Sequence, residues 1–200
     1  MAGAQLTGIG VSPGVAIGKA VLLGRREVQV SRRAVAAAEV PLEQGRLREA
    51  VAQARRQVER IRARAAEALG PRYASIFDSH LAILADEQFP AEVQERIAAA
   101  RLNAEAAVQD VARRYADALA RLEDEHLQGR RTDVDDVAER VLRNLLGAEV
   151  PRLDALSPDT VLVAHSLTPS EAVLLDRSRV QGFVTEVGGR TSHTPILAPS

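Results

Sequence analysis

The chain has 200 residues, of which 46% are hydrophobic and 26% charged, as in an ordinary globular protein with one large or two small domains. Aromatic residues make up only 2%, so Ala, Leu, Val and Ile have to build the core, and a formal net charge of −1 gives no global field to attract nucleic acid or an anionic membrane. Cys is absent, which excludes disulfides, thiol catalysis and thiolate metal sites.

The opening of the chain does not have the pattern expected of a secretory signal. Residues 1–11 lack a basic region followed by a long apolar run, and no apolar stretch approaches the ~18 residues that span a bilayer. A cytoplasmic protein that does not enter a membrane is therefore expected. Residues 6–23 (LTGIGVSPGVAIGKAVLL) mix Val, Ile and Leu with glycines and a proline, which predicts strand–turn–strand structure.

From about residue 31 to residue 147 the pattern is helical. An apolar stripe with steps of three and four residues predicts a long helix; it consists of Leu47, Val51, Ala54, Val58, Ile61, Ala65 and Leu69. Gly70-Pro71 should end this helix. Arg and Glu alternate through residues 43–67, which is typical of a solvated helix face.

Three further helices are expected at short intervals. The second should cover roughly residues 72–87, and Asn103 should cap a third that Gly129 breaks. The fourth should begin near Thr132, with acidic residues in its first turn, and end at Gly147. Short connections between long amphipathic helices indicate a compact antiparallel bundle.

After Pro151 the pattern changes to short strands and helices. Thr160 to Ala164 (TVLVA) predicts a buried strand, and Thr168-Pro169-Ser170-Glu171 is a capping box that should start a helix. Val180 to Val187 predicts another strand. Gly188-Gly189 and the start of a second helix come after this strand. This alternation indicates an α/β unit.

The expected fold class is α+β and multi-domain. The opening segment should supply strands to the α/β unit, so the helical bundle becomes an insertion in it. The expected divisions are residues 1–24 for the first strands, 25–147 for the bundle, and 148–200 for the rest of the α/β domain.

Residues 188–198 (GGRTSHTPILA) combine the features of a phosphate site. Glycines allow a sharp turn and a close approach, and a helix start gathers free N–H groups that favour an anion. His193 is a reasonable nucleophile toward phosphorus because a neutral imidazole is available near neutral pH. The residues that could shape the loop or add donors are Gly188, Gly189, Arg190, Thr191, Ser192 and Thr194. The plain alternative is a glycine turn in which His193 caps a helix.

The motif GGRTSHT resembles the phosphohistidine signature of enzymes that exchange phosphoryl groups with phosphoenolpyruvate. Further stretches resemble the enzyme I family of bacterial sugar phosphotransferase systems: GIGVSPGVAIGKAVLL at 8–23, IFDSHLAILADEQF at 76–89, DVDDVAERVLRNLLG at 133–147 and LTPSEA at 167–172. The resemblance covers essentially the whole chain in the right order.

The resemblance implies specific roles. His193 would take a phosphoryl group from phosphoenolpyruvate on its outer ring nitrogen and pass it to a His of the carrier protein HPr. The α/β part would be a swivelling domain, and the bundle would dock HPr. The implied HPr-binding residues are Phe77, His80, Leu81, Leu84, Asp86 and Glu87. Six apolar residues among the nine from 76 to 84 favour an exposed patch, although a helix buried on two sides is the alternative.

The chain departs from the family in length and at three positions. Phosphoenolpyruvate and magnesium would bind a carboxy-terminal barrel absent from these 200 residues, so a fragment with no cofactor of its own is expected. Pro195 removes one N–H near the signature, and Pro199 would end the helix early. Ala172 replaces a Thr near the unphosphorylated His. The complete enzyme should be a homodimer and the fragment a monomer.

Two other functions remain open at this stage. The chain could be a catalytically inert HPr-docking module, or the swivelling domain of an enzyme similar to pyruvate phosphate dikinase. His126 and His165 carry no pattern and are expected to be structural, and the spacing of the four His residues predicts no metal site.

Overall fold

The structure is a computed structural model that describes residues 5–23, 28–121, 125–148, 153, 156–176 and 178–187. The chain divides into two compact units. One unit, here called the α/β unit, comprises residues 1–26 and 152–200; the other, the helical unit, comprises residues 27–151.

The helical unit begins with a single 3-10 turn, Ala37–Glu39, before its first helix. The helices are α1 (Val40–Leu69), α2 (Pro71–Ala74), α3 (Ile76–Ala85), α4 (Gln88–Ala100), α5 (Ala104–Ala120) and α6 (Glu125–Leu146). As predicted, α1 ends at Gly70, which has a φ of 94° that favours glycine. The predicted stripe of α1 packs into the bundle, because Leu47, Val58 and Ile61 are all buried.

Two features of the helical unit differ from the sequence prediction. Helix α4 was not expected, yet its Phe89, Val93 and Ile97 recur every four residues and are buried. Helix α6 runs through Gly129, so the predicted break there is wrong. One helical glycine costs only about 1 kcal/mol, which tertiary packing of the rest of the helix can outweigh.

The α/β unit is built on a three-stranded parallel sheet in the order β1-β2-β3. The strands are β1 (Lys19–Leu23), β2 (Thr160–Ala164) and β3 (Val180–Thr185), and helix α7 (Pro169–Leu174) connects β2 to β3. Residues 5–18 form no regular element, so the opening segment supplies one strand instead of the expected two.

One face of this sheet carries a buried cluster, and the other face has exposed side chains in the part of the chain that the structure describes. Leu162, Leu167 and Val180 form the buried cluster, against which Val21 and Phe183 pack. Leu22 points to the opposite face with 77% exposure, and Val184 is 50% exposed.

Candidate functional site

The ends of β2 and β3 lie side by side, at what we call the carboxyl edge of the α/β unit. Pairing continues past both strands, because the amide of Glu186 donates to the carbonyl of Ala164 at 3.1 Å and that of Val187 to the carbonyl of His165 at 2.8 Å. Ligands of open parallel sheets bind outside the carboxyl ends of the strands. The carboxyl edge is therefore where this fold would hold a reacting group.

A capping box fixes the turn that leaves β2 at the carboxyl edge. The Thr168 hydroxyl accepts from the Glu171 amide at 3.2 Å, and the Glu171 carboxylate accepts from the Thr168 amide at 2.9 Å. This is the box predicted from the sequence, with Pro169 at the first helical position. Ala172 packs beside the buried cluster of the unit, so its methyl group contributes to the core.

The predicted active-site loop begins directly after this edge. His193 and the loop residues Gly188, Gly189, Arg190, Thr191, Ser192 and Thr194 lie outside the described residues, as do Pro195 and Pro199. Val187 is the last described residue before the predicted loop, and its amide donates a hydrogen bond to the carbonyl of His165. Because consecutive Cα atoms are about 3.8 Å apart, the loop has to leave from the carboxyl edge.

A side-chain pair that the sequence analysis missed lies at the same edge. His165 Nδ1 is 2.8 Å from Glu186 Oε2. His165 was expected to be structural because it carries no motif. The signal that could have identified the pair is positional, since His165 directly follows the predicted strand 160–164 and Glu186 lies at the end of the predicted strand 180–187.

The predicted docking residues on α3 divide between the core and the surface. Phe77, His80 and Leu84 are 0%, 2% and 5% exposed, so no partner can touch them directly. His80 Nε2 lies 3.2 Å from Asp133 on α6, and its ring meets Phe77 edge to face at 5.9 Å. The prediction that these three residues contact a partner at the surface is therefore corrected. They lie beneath the face that a partner would meet.

The outer face of α3 consists of the exposed residues Asp78, Ala82 and Ala85. Leu81 is half-buried beside this face, while Asp86 and Glu87 are exposed where α3 leads into α4. The apolar patch is thus smaller than expected.

Two of the acidic groups on and beside this outer face have partners. Asp78 pairs with Arg62 of α1 at 2.7 Å, and Asp86 accepts the amide of Gln88 at 2.9 Å. An exposed patch and a helix buried on two sides were the two interpretations of this segment from its sequence. Each holds in part, because the inner side of α3 is buried and its outer face is exposed.

A buried ionic network at one end of the helical unit was also missed. Glu43 is 2% exposed and accepts from Arg33 at 2.8 Å, from Arg46 at 2.7 Å and from the amide of Ala104 at 2.9 Å. The solvated face predicted for residues 43–67 is therefore wrong at Glu43. Its position four residues before Leu47 on the apolar stripe is the signal that could have shown this.

Arg46 links this carboxylate to a second buried one, that of Glu105, and to the carbonyl of Leu145 at 3.0 Å. Burial alone would raise the pKa of Glu105, but hydrogen bonds from Arg46, its own backbone and Asn103 together hold the pKa below its usual value. Asn103 stands at the predicted cap of α5 but uses its side chain elsewhere, donating to Glu105 at 2.8 Å.

No group of three or more His, Asp or Glu side chains in the described part of the chain is arranged to hold a metal ion. In the same residues, no helix has the length and apolar character required to cross a membrane.

Comparison with known proteins gives matches in both units. Residues 7–130 match the family described as PEP-utilising enzyme, N-terminal, and residues 156–200 match PEP-utilising enzyme, mobile domain. The phosphoenolpyruvate-protein phosphotransferase of Enterococcus faecalis is 38% identical over 197 residues, which is 98% of this chain and 34% of that protein. The one from Bacillus subtilis is 36% identical over 196 residues, with the same coverage. The chain thus spans about a third of the length of the curated relatives it matches.

Two solved structures share the fold. A solution NMR structure of Enzyme I is 35% identical with a TM-score of 0.83, over 96% of this chain and 78% of that one. A structure described as the N-terminal domain of Enzyme 1 - Nitrogen is 27% identical with a TM-score of 0.68, over 94% and 76% of the two chains. These matches confirm the predicted fold class of an α/β domain with a helical insertion. The chain belongs to the family of PEP-utilising enzymes, and it is similar along nearly its whole length to the amino-terminal third of phosphoenolpyruvate-protein phosphotransferases.

Proposed function

We propose that the chain is the phosphoryl relay part of a phosphoenolpyruvate-protein phosphotransferase, with His193 as the carrier. The observation that carries the proposal is a match to such enzymes over 98% of the chain, which includes the motif GGRTSHT directly after the carboxyl edge. In the complete enzyme, phosphoenolpyruvate would bind a separate barrel together with magnesium. The complete enzyme would be cytoplasmic and dimeric.

The chemistry consists of two displacements at phosphorus. The outer ring nitrogen of neutral His193 attacks the phosphoryl group of phosphoenolpyruvate, the P–O bond breaks, and the enolate leaves and becomes pyruvate after it takes a proton. A His nitrogen of HPr then attacks the phosphohistidine, and the P–N bond breaks. Such transfers need positioning and charge stabilisation, which Arg190, the loop hydroxyls and free amides at a helix start would supply.

HPr would dock on the outer face of α3 and on the turn that follows it. Ala82 and Ala85 are small and exposed, so a partner's side chains can approach the helix closely, and Leu81 adds apolar area. Asp86 and Glu87 favour a partner with basic groups around an apolar centre. Phe77, His80 and Leu84 would support this face from within the bundle.

A phosphate transfer assay tests the relay. Radiolabelled phospho-HPr mixed with the chain should give an acid-labile, hydroxylamine-sensitive label, and His193→Ala should abolish it without changing the helical circular dichroism. His126→Ala is the matched control and should keep the label. A label that survives His193→Ala would refute the proposal.

The docking face is tested separately by titration with HPr. Ala82→Arg should weaken binding at least tenfold, because Arg adds bulk to the contact and its positive charge would repel the basic groups of the partner. Ala63→Arg, on the exposed outer side of α1, should bind as the unsubstituted chain does. Equal binding by both variants would contradict docking on α3.

A docking module without transfer activity is the second candidate. It is favoured by the exposure of Leu22 and Val184 on the described part of the sheet, because a weakly packed sheet would hold the loop less firmly. Binding of HPr with no label on the unsubstituted chain would support it. A swivelling domain of a dikinase-like enzyme is less well supported, since the similarity to phosphotransferases extends through the helical unit.

A further inference from the structure

Strands β2 and β3 remain joined one residue beyond their ends, at His165 and Glu186. The last register pair is Ala164 with Thr185, and the next residues on each strand are linked through the 2.8 Å contact between His165 Nδ1 and Glu186 Oε2. The carbonyl of the same His165 accepts from the amide of Val187. His165 therefore holds the end of β3 with both its side chain and its backbone.

The pair is too exposed to serve mainly the stability of the fold. The side chain of Glu186 is 77% exposed and that of His165 is 28% exposed. Exposed ion pairs contribute little to folding, because water competes for both charges and two mobile side chains lose freedom. A local role for the pair is therefore the better explanation.

Gly188 and Gly189 follow Val187 directly. Glycine adopts backbone conformations on both sides of φ = 0 with little cost, so a glycine pair cannot by itself hold the direction of the chain. Val187 is the residue directly before the glycines, and its amide donates to the backbone carbonyl of His165 at 2.8 Å. The contact between the His165 and Glu186 side chains adds a second link at the same place.

We propose that His165 and Glu186 form a positioning pair that fixes where the phosphohistidine loop leaves the sheet. An Nδ1–H of His165 can donate to the Glu186 carboxylate across this 2.8 Å contact, and the bond orients the imidazole. Neither residue exchanges the phosphoryl group. The proposal rests on the proposed function for its effect on transfer, but the pair itself can be tested without it.

The test uses the full 200-residue chain and phospho-HPr. His165→Ala and Glu186→Ala should each lower the maximal transfer rate by roughly tenfold or more, because even a small misplacement of a reacting group slows transfer strongly. The KM for phospho-HPr should stay the same, since the proposed docking face lies in the helical unit. The double variant should be no slower than either single variant, because both remove the same contact.

Two further variants separate positioning from general damage. Glu186→Gln keeps an oxygen acceptor for the Nδ1–H and should retain most of the rate. Gln181→Ala removes another exposed side-chain bond of β3, the 3.3 Å contact with Asp159 near the start of the strand, and should have no effect. Maximal rates within twofold of the unsubstituted chain in both His165→Ala and Glu186→Ala, or an equal loss in Gln181→Ala, would overturn the proposal.

Amide hydrogen exchange provides a readout that does not depend on transfer. The Glu186 and Val187 amides should exchange faster in His165→Ala than in Gln181→Ala. If the unsubstituted chain takes up no radiolabelled phosphate, the proposed relay function is contradicted. Amide hydrogen exchange still tests the contact between His165 and Glu186 in that case. Unchanged exchange of both amides in His165→Ala would then reject the positioning pair itself.

Discussion

The two units place charged side chains in opposite environments. In the helical unit Glu43 and Glu105 are withdrawn from solvent and surrounded by Arg, Asn and backbone donors. In the α/β unit the pair of His165 and Glu186 lies at an open edge. A buried ion is tolerated only with its partners in place, so the helical network is sensitive to the loss of any one partner, whereas water can replace a lost partner at the exposed edge.

The largest effect is expected from breaking the buried network. Glu43→Ala removes the charge-assisted hydrogen bonds from Arg33 and Arg46 and leaves the buried amide of Ala104 without its acceptor, so it should lower the free energy of unfolding by about 3–5 kcal/mol. Glu59→Ala removes only an exposed pair with Arg55 and should cost less than about 1 kcal/mol. Urea unfolding followed by circular dichroism measures both, and equal losses would contradict this interpretation of the network.

A second prediction compares the same change in the two cores. Leu47→Ala in α1 and Leu162→Ala in β2 each create a cavity at a fully buried site and should cost roughly 2–5 kcal/mol locally. Because the helices lie mainly in one unit, only Leu47→Ala should shift the unfolding transition seen by circular dichroism. Leu162→Ala should instead speed amide exchange in β2, and a shared shift would show that the two units unfold together.

The smallest effect is expected from pH. Since the pKa of Glu105 is lowered in the folded state, its contribution to stability is present above the unfolded value of about 4.3 and is lost as the pH falls through the folded value. The unsubstituted chain should therefore lose stability below about pH 5 more steeply than Glu105→Gln. Glu49→Gln, at an exposed position, is the control and should keep the steeper dependence of stability on pH. Parallel curves of stability against pH for all three chains would exclude this contribution of Glu105.

Local patterns predicted several elements because they depend on neighbours within one or two turns. Gly70-Pro71 ends α1, residues 160–164 form β2, and the capping box at Thr168 starts α7. At Gly129 the prediction failed because packing opposed a local signal: the glycine looked like a helix break, yet α6 continues through it. Helix α4 was missed for a different reason, since the helical spacing of Phe89, Val93 and Ile97 was present but not used.

For the candidate site, the sequence by itself determined the family, and it supplied the motif around His193 and the helix on which the proposed chemistry and docking face rest. Only the tertiary structure decided which side chains of α3 a partner can reach, because burial of Phe77, His80 and Leu84 depends on helices elsewhere in the chain. The tertiary structure also decided which charged side chains are buried. Glu43 and Glu59 are both Glu within one Arg-rich helix, but only Glu43 meets the amide of Ala104, a group 61 residues away that folding brings to 2.9 Å.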